Sequence, residues 1–231
     1  MPPKFKFTKE EIIESAFTIV RCKGWDALST RLLAAELGTS SRPIYSFFKS
    51  IKELEEEIVK RAVDILHAYM IQERTGNPWH DHGIGYVLFA MEERSLFRSI
   101  TDETHITLFK KYGDAIWDAL TESLATYPPF QGLTSDQIYQ IQMHRWLFAH
   151  GLAFSASNPP PETWTPDNIV AVIQSGSQAI YTGLLDQFRS STQTPSTERG
   201  RYAKKRSEKN GATDRRPAGQ RDASSGKREG V

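Results

Sequence analysis

Ser29-Thr30-Arg31-Leu32-Leu33-Ala34-Ala35-Glu36-Leu37-Gly38-Thr39-Ser40-Ser41-Arg42-Pro43-Ile44-Tyr45-Ser46-Phe47-Phe48 decides how this chain folds, because it reads as two helices joined by a tight turn. Ser29 carries the hydroxyl that caps a first helix by accepting from an otherwise orphan backbone N–H. Leu32, Leu33, Ala35 and Leu37 follow at helical spacing, and the small Ala34 and Ala35 let a neighbouring helix approach. Gly38 comes after the last periodic residue, where a left-handed backbone costs glycine nothing, and Ser40 offers a hydroxyl to the next N-terminus. With Ser40 as N-cap, Pro43 falls in the first turn, where no intrahelical bond is lost, although it pushes Arg42 away from helical angles. A short second helix over about Ser41–Phe48 is expected, with Ile44 and Phe48 facing inward and Ser41, Arg42 and Tyr45 facing out. This is the layout of a helix-turn-helix, whose second helix lies in the major groove of DNA.

Upstream, Thr8-Lys9-Glu10-Glu11 is a capping box, with Phe7 and Ile12 placed as a hydrophobic staple. A helix of about four turns runs from there through Ile13, Ala16, Phe17 and Val20 to Gly24. Trp25 and Leu28 in the connection complete a three-helix core.

Residues 8–54 resemble the N-terminal DNA-binding domain of the TetR family of one-component transcriptional regulators. That family shows a threonine-led first helix, a Thr-x-x-x-Ile-Ala helix, a Gly-Val-Ser turn, and a recognition helix ending in Leu-Tyr-x-x-Phe. A leucine then opens a long fourth helix. Here those places are held by Thr8, by Ser29 with Leu33 and Ala34, by Gly38-Thr39-Ser40, by Ile44-Tyr45 with Phe48, and by Leu54. Pro43 stands where the family usually has threonine, Phe47 where it has histidine, and Ile51, flanked by Lys49 and Lys52, where it has lysine. The resemblance implies a regulator, most often a repressor, that binds an operator in double-stranded DNA as a homodimer and answers to a small-molecule effector.

Charge is distributed as such a protein requires. Residues 1–54 hold nine Lys/Arg against six Asp/Glu, a net of +3; residues 55–189 hold nine against seventeen, −8; residues 190–231 hold eleven against five, +6. A polyanion is drawn to the first segment and repelled by the second. We therefore expect a DNA-binding domain at 1–54, a helical ligand-binding and dimerisation domain at 55–189, and a disordered basic tail at 190–231. The tail is rich in Ser, Thr, Gly, Lys and Arg and lacks any apolar stripe. It would add nonspecific attraction to phosphate or remain a solvated appendage. No apolar run approaches the length that crosses a bilayer, so no membrane partner is expected. Met-Pro-Pro-Lys-Phe-Lys-Phe has no signal-peptide core, and the one cysteine, Cys22, makes no intrachain disulfide, which points to the cytoplasm.

Beyond the head, Ile51, Leu54, Ile58, Ala62, Ile65, Leu66 and Tyr69 predict a fourth helix over about 51–74, ended by Thr75-Gly76-Asn77-Pro78. It would form a rigid rod between reading head and body. Further helices are expected at about 79–93, 96–102, 103–125, 135–157 and 166–188, divided by Pro128-Pro129, Asn158-Pro159-Pro160-Pro161 and Thr165-Pro166. Nothing alternates with a period of two, so the fold class is all-α. Large side chains are plentiful in this body, and most will fill a core. From the resemblance, a subset lines an apolar ligand cavity; Tyr86, Phe89, His105, Phe109, Trp117, Met143 and His144 are the candidates, with Gln142 as a further polar group. The last two helices are similar to the pair that forms the family's dimer interface, and Ala149, Gly151, Ala153 and Ala156 on one and Ala171, Ser175, Gly176, Ala179 and Gly183 on the other permit close approach.

Catalytic signatures are missing. There is no Gly-x-Ser-x-Gly elbow, phosphate-binding glycine loop or dinucleotide fingerprint, and no cofactor is expected. His80-Asp81-His82 spaces two imidazoles so that a helix points them apart, and surface histidines are the simpler reading than a metal site. The expected DNA contacts are Ser41, Arg42 and Tyr45 toward base edges, and Ser29, Thr30, Ser40, Lys49 and Lys52 toward the backbone. The competing expectation is a small-molecule-binding or protein-interaction module that keeps the helix-turn-helix shell and acts through a partner protein.

Overall fold

A computed structural model describes residues 7–158 and 163–191. The described residues are helical: α1 Lys9–Lys23, α2 Thr30–Glu36, α3 Arg42–Phe47, α4 Ile51–Ile71, α5 Pro78–Glu92, α6 Arg94–Thr101, α7 Ile106–Thr126, α8 Ser135–Ser157 and α9 Pro166–Ser191, with 3₁₀ turns at Trp25–Ala27 and Pro128–Phe130. Apart from Ser190 and Ser191, the expected basic tail lies outside the described residues.

Local chemistry sets most of these boundaries. Thr8 and Glu11 form both bonds of their capping box, and Thr134 and Gln137 do the same at the head of α8. The side chain of Asn77 caps α5, with Pro78 in the first turn. Gly24, Gly38 and Gly76 have φ of +80°, +62° and +71°, and each ends or breaks a helical run. The fourth helix stops at Ile71, three residues short of the expected end. There the Arg74 guanidinium donates to the carbonyls of Tyr69 and Gln72 at 2.6 and 2.9 Å, while Asp81 accepts from the backbone N–H of Arg74 and of Thr75. Those side chains satisfy the helix end and fix the loop that follows.

The body is arranged around α5. Residues Asp81 to Ala90 are all buried, with α4 along one side and α8 along another. Two glycines permit the tightest approaches. A Cβ on Gly85 would collide with the Tyr69 carbonyl of α4, and one on Gly176 would collide with the Phe148 ring of α8. A continuous apolar core runs from Ile12 through Ile44, Leu54, Ile84 and Leu96 to Ile173; a smaller cluster of Trp79, Leu124, Phe130, Ile138, Ile141 and Leu184 closes the far end.

The structure corrects the surface reading of the histidine pair: His82 is buried, and His80 is half-buried. A helix enclosed on every face has no outward stripe for them to occupy. Ala34 is buried as expected, but Ala35 faces solvent. His105 precedes α7 rather than lying within a helix begun at residue 103, because Asp102 accepts from its backbone N–H at 2.9 Å and interrupts the run. No helix among the described residues is long and apolar enough to cross a membrane.

Candidate nucleic-acid interface

The turn between α2 and α3 is closed by local bonds. Ser29 accepts from the N–H of Leu32 at 3.2 Å, and at the other end Gly38 and Thr39 donate to the carbonyls of Ala35 and Ala34 at 3.1 and 2.9 Å. The second helix departs from expectation at its start. Its N-cap is Ser41 rather than Ser40, and Arg42 is already helical with Pro43 in the first turn. Ser41 makes no side-chain capping bond, which leaves its hydroxyl available to a ligand. Ile44 and Phe48 are both 2% exposed and anchor the helix to the core, so Ser41, Arg42 and Tyr45 turn outward as the i, i+4 spacing requires. Tyr45 is 54% exposed, and its phenol oxygen lies 3.2 Å from the Thr30 hydroxyl, tying the start of α2 to the reading face of α3. Thr30, Arg31, Ala34, Ala35, Thr39, Ser41 and Tyr45 line a shallow groove of about 490 Å³ between the two helices.

The cations of this head fall into two sets. Lys9, Arg21 and Lys23 are paired with Glu57, Glu93 and Glu36. Arg31, Arg42, Lys49 and Lys52 are exposed and make no ion pair among the described residues. Lys49 is fixed through its backbone, whose N–H donates to Glu53 at 2.7 Å. The unpaired set stands on α2, on α3 and at the start of α4, which are the elements a major-groove reader presents to DNA. Arg31 was not among the residues expected from sequence, yet its place beside Thr30 in the first turn of α2 was there to be read.

The head is tied to the body by side chains. Arg21 on α1 makes a forked ion pair with the buried Glu93, which precedes α6. Trp25 stacks on His105 with ring centroids 4.2 Å apart. On α4, Glu56 accepts from Lys111 and from the Tyr112 hydroxyl of α7, both at 2.6 Å, and these donors hold its carboxyl below the ordinary carboxylate range.

The seven residues expected around a ligand do not gather in one place. Phe89 is enclosed in the core, edge-on to Tyr69. His105 sits at the junction with the head, and His144 is exposed, its Nδ1 bonded to the Gln140 carbonyl. Phe109 and Met143 are half-buried. Two do belong to one aromatic cluster. Trp117 packs edge-on to Trp146, Trp146 stacks on His150, and the Nδ1 of His150 bonds the hydroxyl of buried Tyr86 at 2.8 Å. Gln142 is fully buried beside them, accepting from the Thr121 hydroxyl at 2.6 Å. Sequence reasoning passed over Arg145, which occupies the inward stripe of α8 defined by Ile138, Ile141, Gln142, Ala149 and Leu152.

Comparisons with known proteins agree with this geometry. Residues 12–58 match the family described as bacterial regulatory proteins, tetR family. An uncharacterised HTH-type transcriptional regulator of Mycobacterium tuberculosis is 34% identical over 150 residues, which is 63% of this chain and 68% of that protein. In fold the chain is similar to a TetR-family transcriptional regulator from Mesorhizobium loti, with a TM-score of 0.52 at 15% identity over 75% of this chain and 94% of that one. It is equally similar to a TetR variant from Acinetobacter baumannii crystallised with minocycline, with a TM-score of 0.51 at 15% identity over 79% and 98%. The family match over the head and the 34% identical regulator make this all-α chain a DNA-binding transcriptional regulator, and it belongs to the TetR family.

Proposed function

We propose that the chain is a ligand-responsive, sequence-specific regulator that acts as a homodimeric repressor. The observation that carries this reading is the set of four exposed, unpaired cations on the α2, α3 and α4 face, while the head's other described cations are held in ion pairs. Arg42 is the one side chain on α3 able to make a forked contact with guanine, with Ser41 and Tyr45 beside it at the base edges. Ser29, Thr30, Ser40, Lys49 and Lys52, joined by Arg31, hold the phosphates and fix register. Residues 1–54 are then the reader, 55–189 the sensor and dimer body, and 190–231 a basic tail.

Two copies bring two heads to half-sites about 34–36 Å apart or a multiple of that. The outer face of α8 and α9 supports pairing. Tyr139, Leu147 and Phe154 on α8 are 41%, 56% and 62% exposed, large apolar side chains on one outward side of the helix. Gly151 on α8 and Gly183 on α9 have nothing within 4 Å of where a Cβ would stand. Their smallness serves no packing inside the subunit and leaves room for a neighbour.

An effector in the body acts on the heads through the contacts already described. A shift of α6 or α7 pulls on Arg21 through Glu93, on Trp25 through His105 and on α4 through Glu56, and the change it can impose is limited by its difference in affinity for the two states. The similarity in fold to a minocycline-bound protein supports a small-molecule sensor of this architecture. The test is enrichment of genomic fragments on the purified chain, with and without cell extract. A specific set of fragments released by extract is expected; no enrichment above background would overturn the reading.

A further inference from the structure

Arg145 of α8 is only 3% exposed, yet no carboxylate lies within ion-pair distance of it among the described residues. Its Nε is enclosed and has no hydrogen-bond partner. Its guanidinium carbon lies 4.8 Å from the centre of the Trp79 indole, and the same indole donates to the Ser177 carbonyl of α9. A guanidinium against an aromatic face recovers part of what burying a charge costs, but supplies no acceptor for its N–H groups. Two further buried polar atoms bond nothing in the protein. The Ser177 hydroxyl is fully buried without a partner, and so is Nδ1 of His82, whose residue is 4% exposed. Gly83 brings α5 against the guanidinium so closely that a Cβ there would stand 3.0 Å from Nη1. Burial and the Arg145 charge push the His82 imidazole down to about 4, so it stays neutral, and in the tautomer with the proton on Nδ1 it donates from that atom. The nearby acid Asp81 makes no ion pair with Arg145; its oxygens accept from the Arg74 and Thr75 backbone and the Thr75 hydroxyl.

A buried guanidinium with no carboxylate beside it, together with a buried hydroxyl and imidazole that bond nothing in the protein, is chemically suited to receive an anion. We propose that the α5, α8 and α9 layer holds the carboxylate of an acidic effector on Arg145, with Ser177 and His82 as supporting donors. This deepens the sensor reading and rests on it for the word effector; the anion site itself rests on the side chains alone. It also explains why an arginine stands in the inward stripe of α8, where a methionine would pack as well.

The test uses the purified full chain and three acids, acetate, benzoate and octanoate, each against its neutral amide at constant ionic strength. Melting temperature and titration calorimetry are the readouts. At least one acid should raise the melting temperature saturably while its amide does not. Arg145→Met should melt cooperatively at no lower temperature than the unliganded parent and bind that acid at least tenfold more weakly. Ser177→Ala, a smaller change that keeps the charge, should weaken binding by about threefold and serves if Arg145→Met does not fold. The proposal falls if no acid acts, if acid and amide act alike, or if binding survives in both variants. Release of operator DNA separates the two readings. Extract that releases DNA while none of the acids binds leaves the sensor standing and removes the anion site; acids that bind through Arg145 without ever releasing DNA do the reverse.

Discussion

Lys52→Ala should flatten the salt dependence of operator binding, whereas Lys23→Ala should leave it unchanged. Both are lysines of the N-terminal part of the chain, but Lys23 is paired with Glu36 at 3.0 Å and Lys52 is exposed and unpaired. With Arg31, Lys49 and Lys52 in their proposed role on each of two heads, a dimer would make about six phosphate contacts, and the slope of log K against log salt should be about −5. Removing Lys52 takes away one contact per head, leaving about four and a slope of about −4. Between 50 and 200 mM salt the parent should lose about 10³-fold in affinity and the variant about 10²-fold. Fluorescence anisotropy on one labelled operator over five salt concentrations measures both slopes. Equal slopes for the two variants would refute the division of the head's cations into paired and phosphate-facing sets.

Three further outcomes follow from packing and charge. Gly85→Ala places a methyl against the Tyr69 carbonyl and should destabilise the fold by about 1–3 kcal/mol or more in urea unfolding, since the obstacle is backbone that cannot turn aside. Phe154→Glu puts a charge on an exposed ring of α8 and should convert dimer to monomer in sedimentation equilibrium without lowering the helix content; an unchanged mass would place the interface elsewhere. Burial, with the Arg145 charge, pushes the His82 imidazole from its ordinary 6.5 down to about 4 in the fold, so the unfolded chain binds the extra proton between those values. Stability should therefore fall as pH drops from about 6.5 to about 4, by up to roughly 3 kcal/mol, and His82→Asn should make that part of the profile flatter.

The head was legible because its boundaries are local. Thr8 with Glu11, Ser29 with the Leu32 N–H, and Gly38 with its positive φ each act within four residues, and a one-residue slip between Ser40 and Ser41 was the cost of an N-cap that makes no side-chain bond. The end of α4 was less legible, since it depends on Arg74 folding back and on Asp81 reaching across from α5. The surroundings of α5 were not legible at all. Its run of small and apolar residues carries no face to read, and its central position follows from the helices packed on both sides. For the same reason size did not separate the aromatic ligand candidates, since Phe89 in the core and Trp117 in the aromatic cluster share it. Arg145 could have been found, because a charged residue in the inward stripe that runs through Ile138, Ile141, Ala149 and Leu152 breaks the pattern.

Selection of duplexes from a random library by the parent and by Arg42→Ala tests the central claim most directly. A two-fold symmetric site is expected for the parent, with half-sites one helical turn or a multiple apart. For the variant the same site is expected, with one relaxed position in each half and about 1–3 kcal/mol weaker binding. Enrichment of no sequence by the parent, or of an identical, undegraded motif by the variant, would contradict that claim.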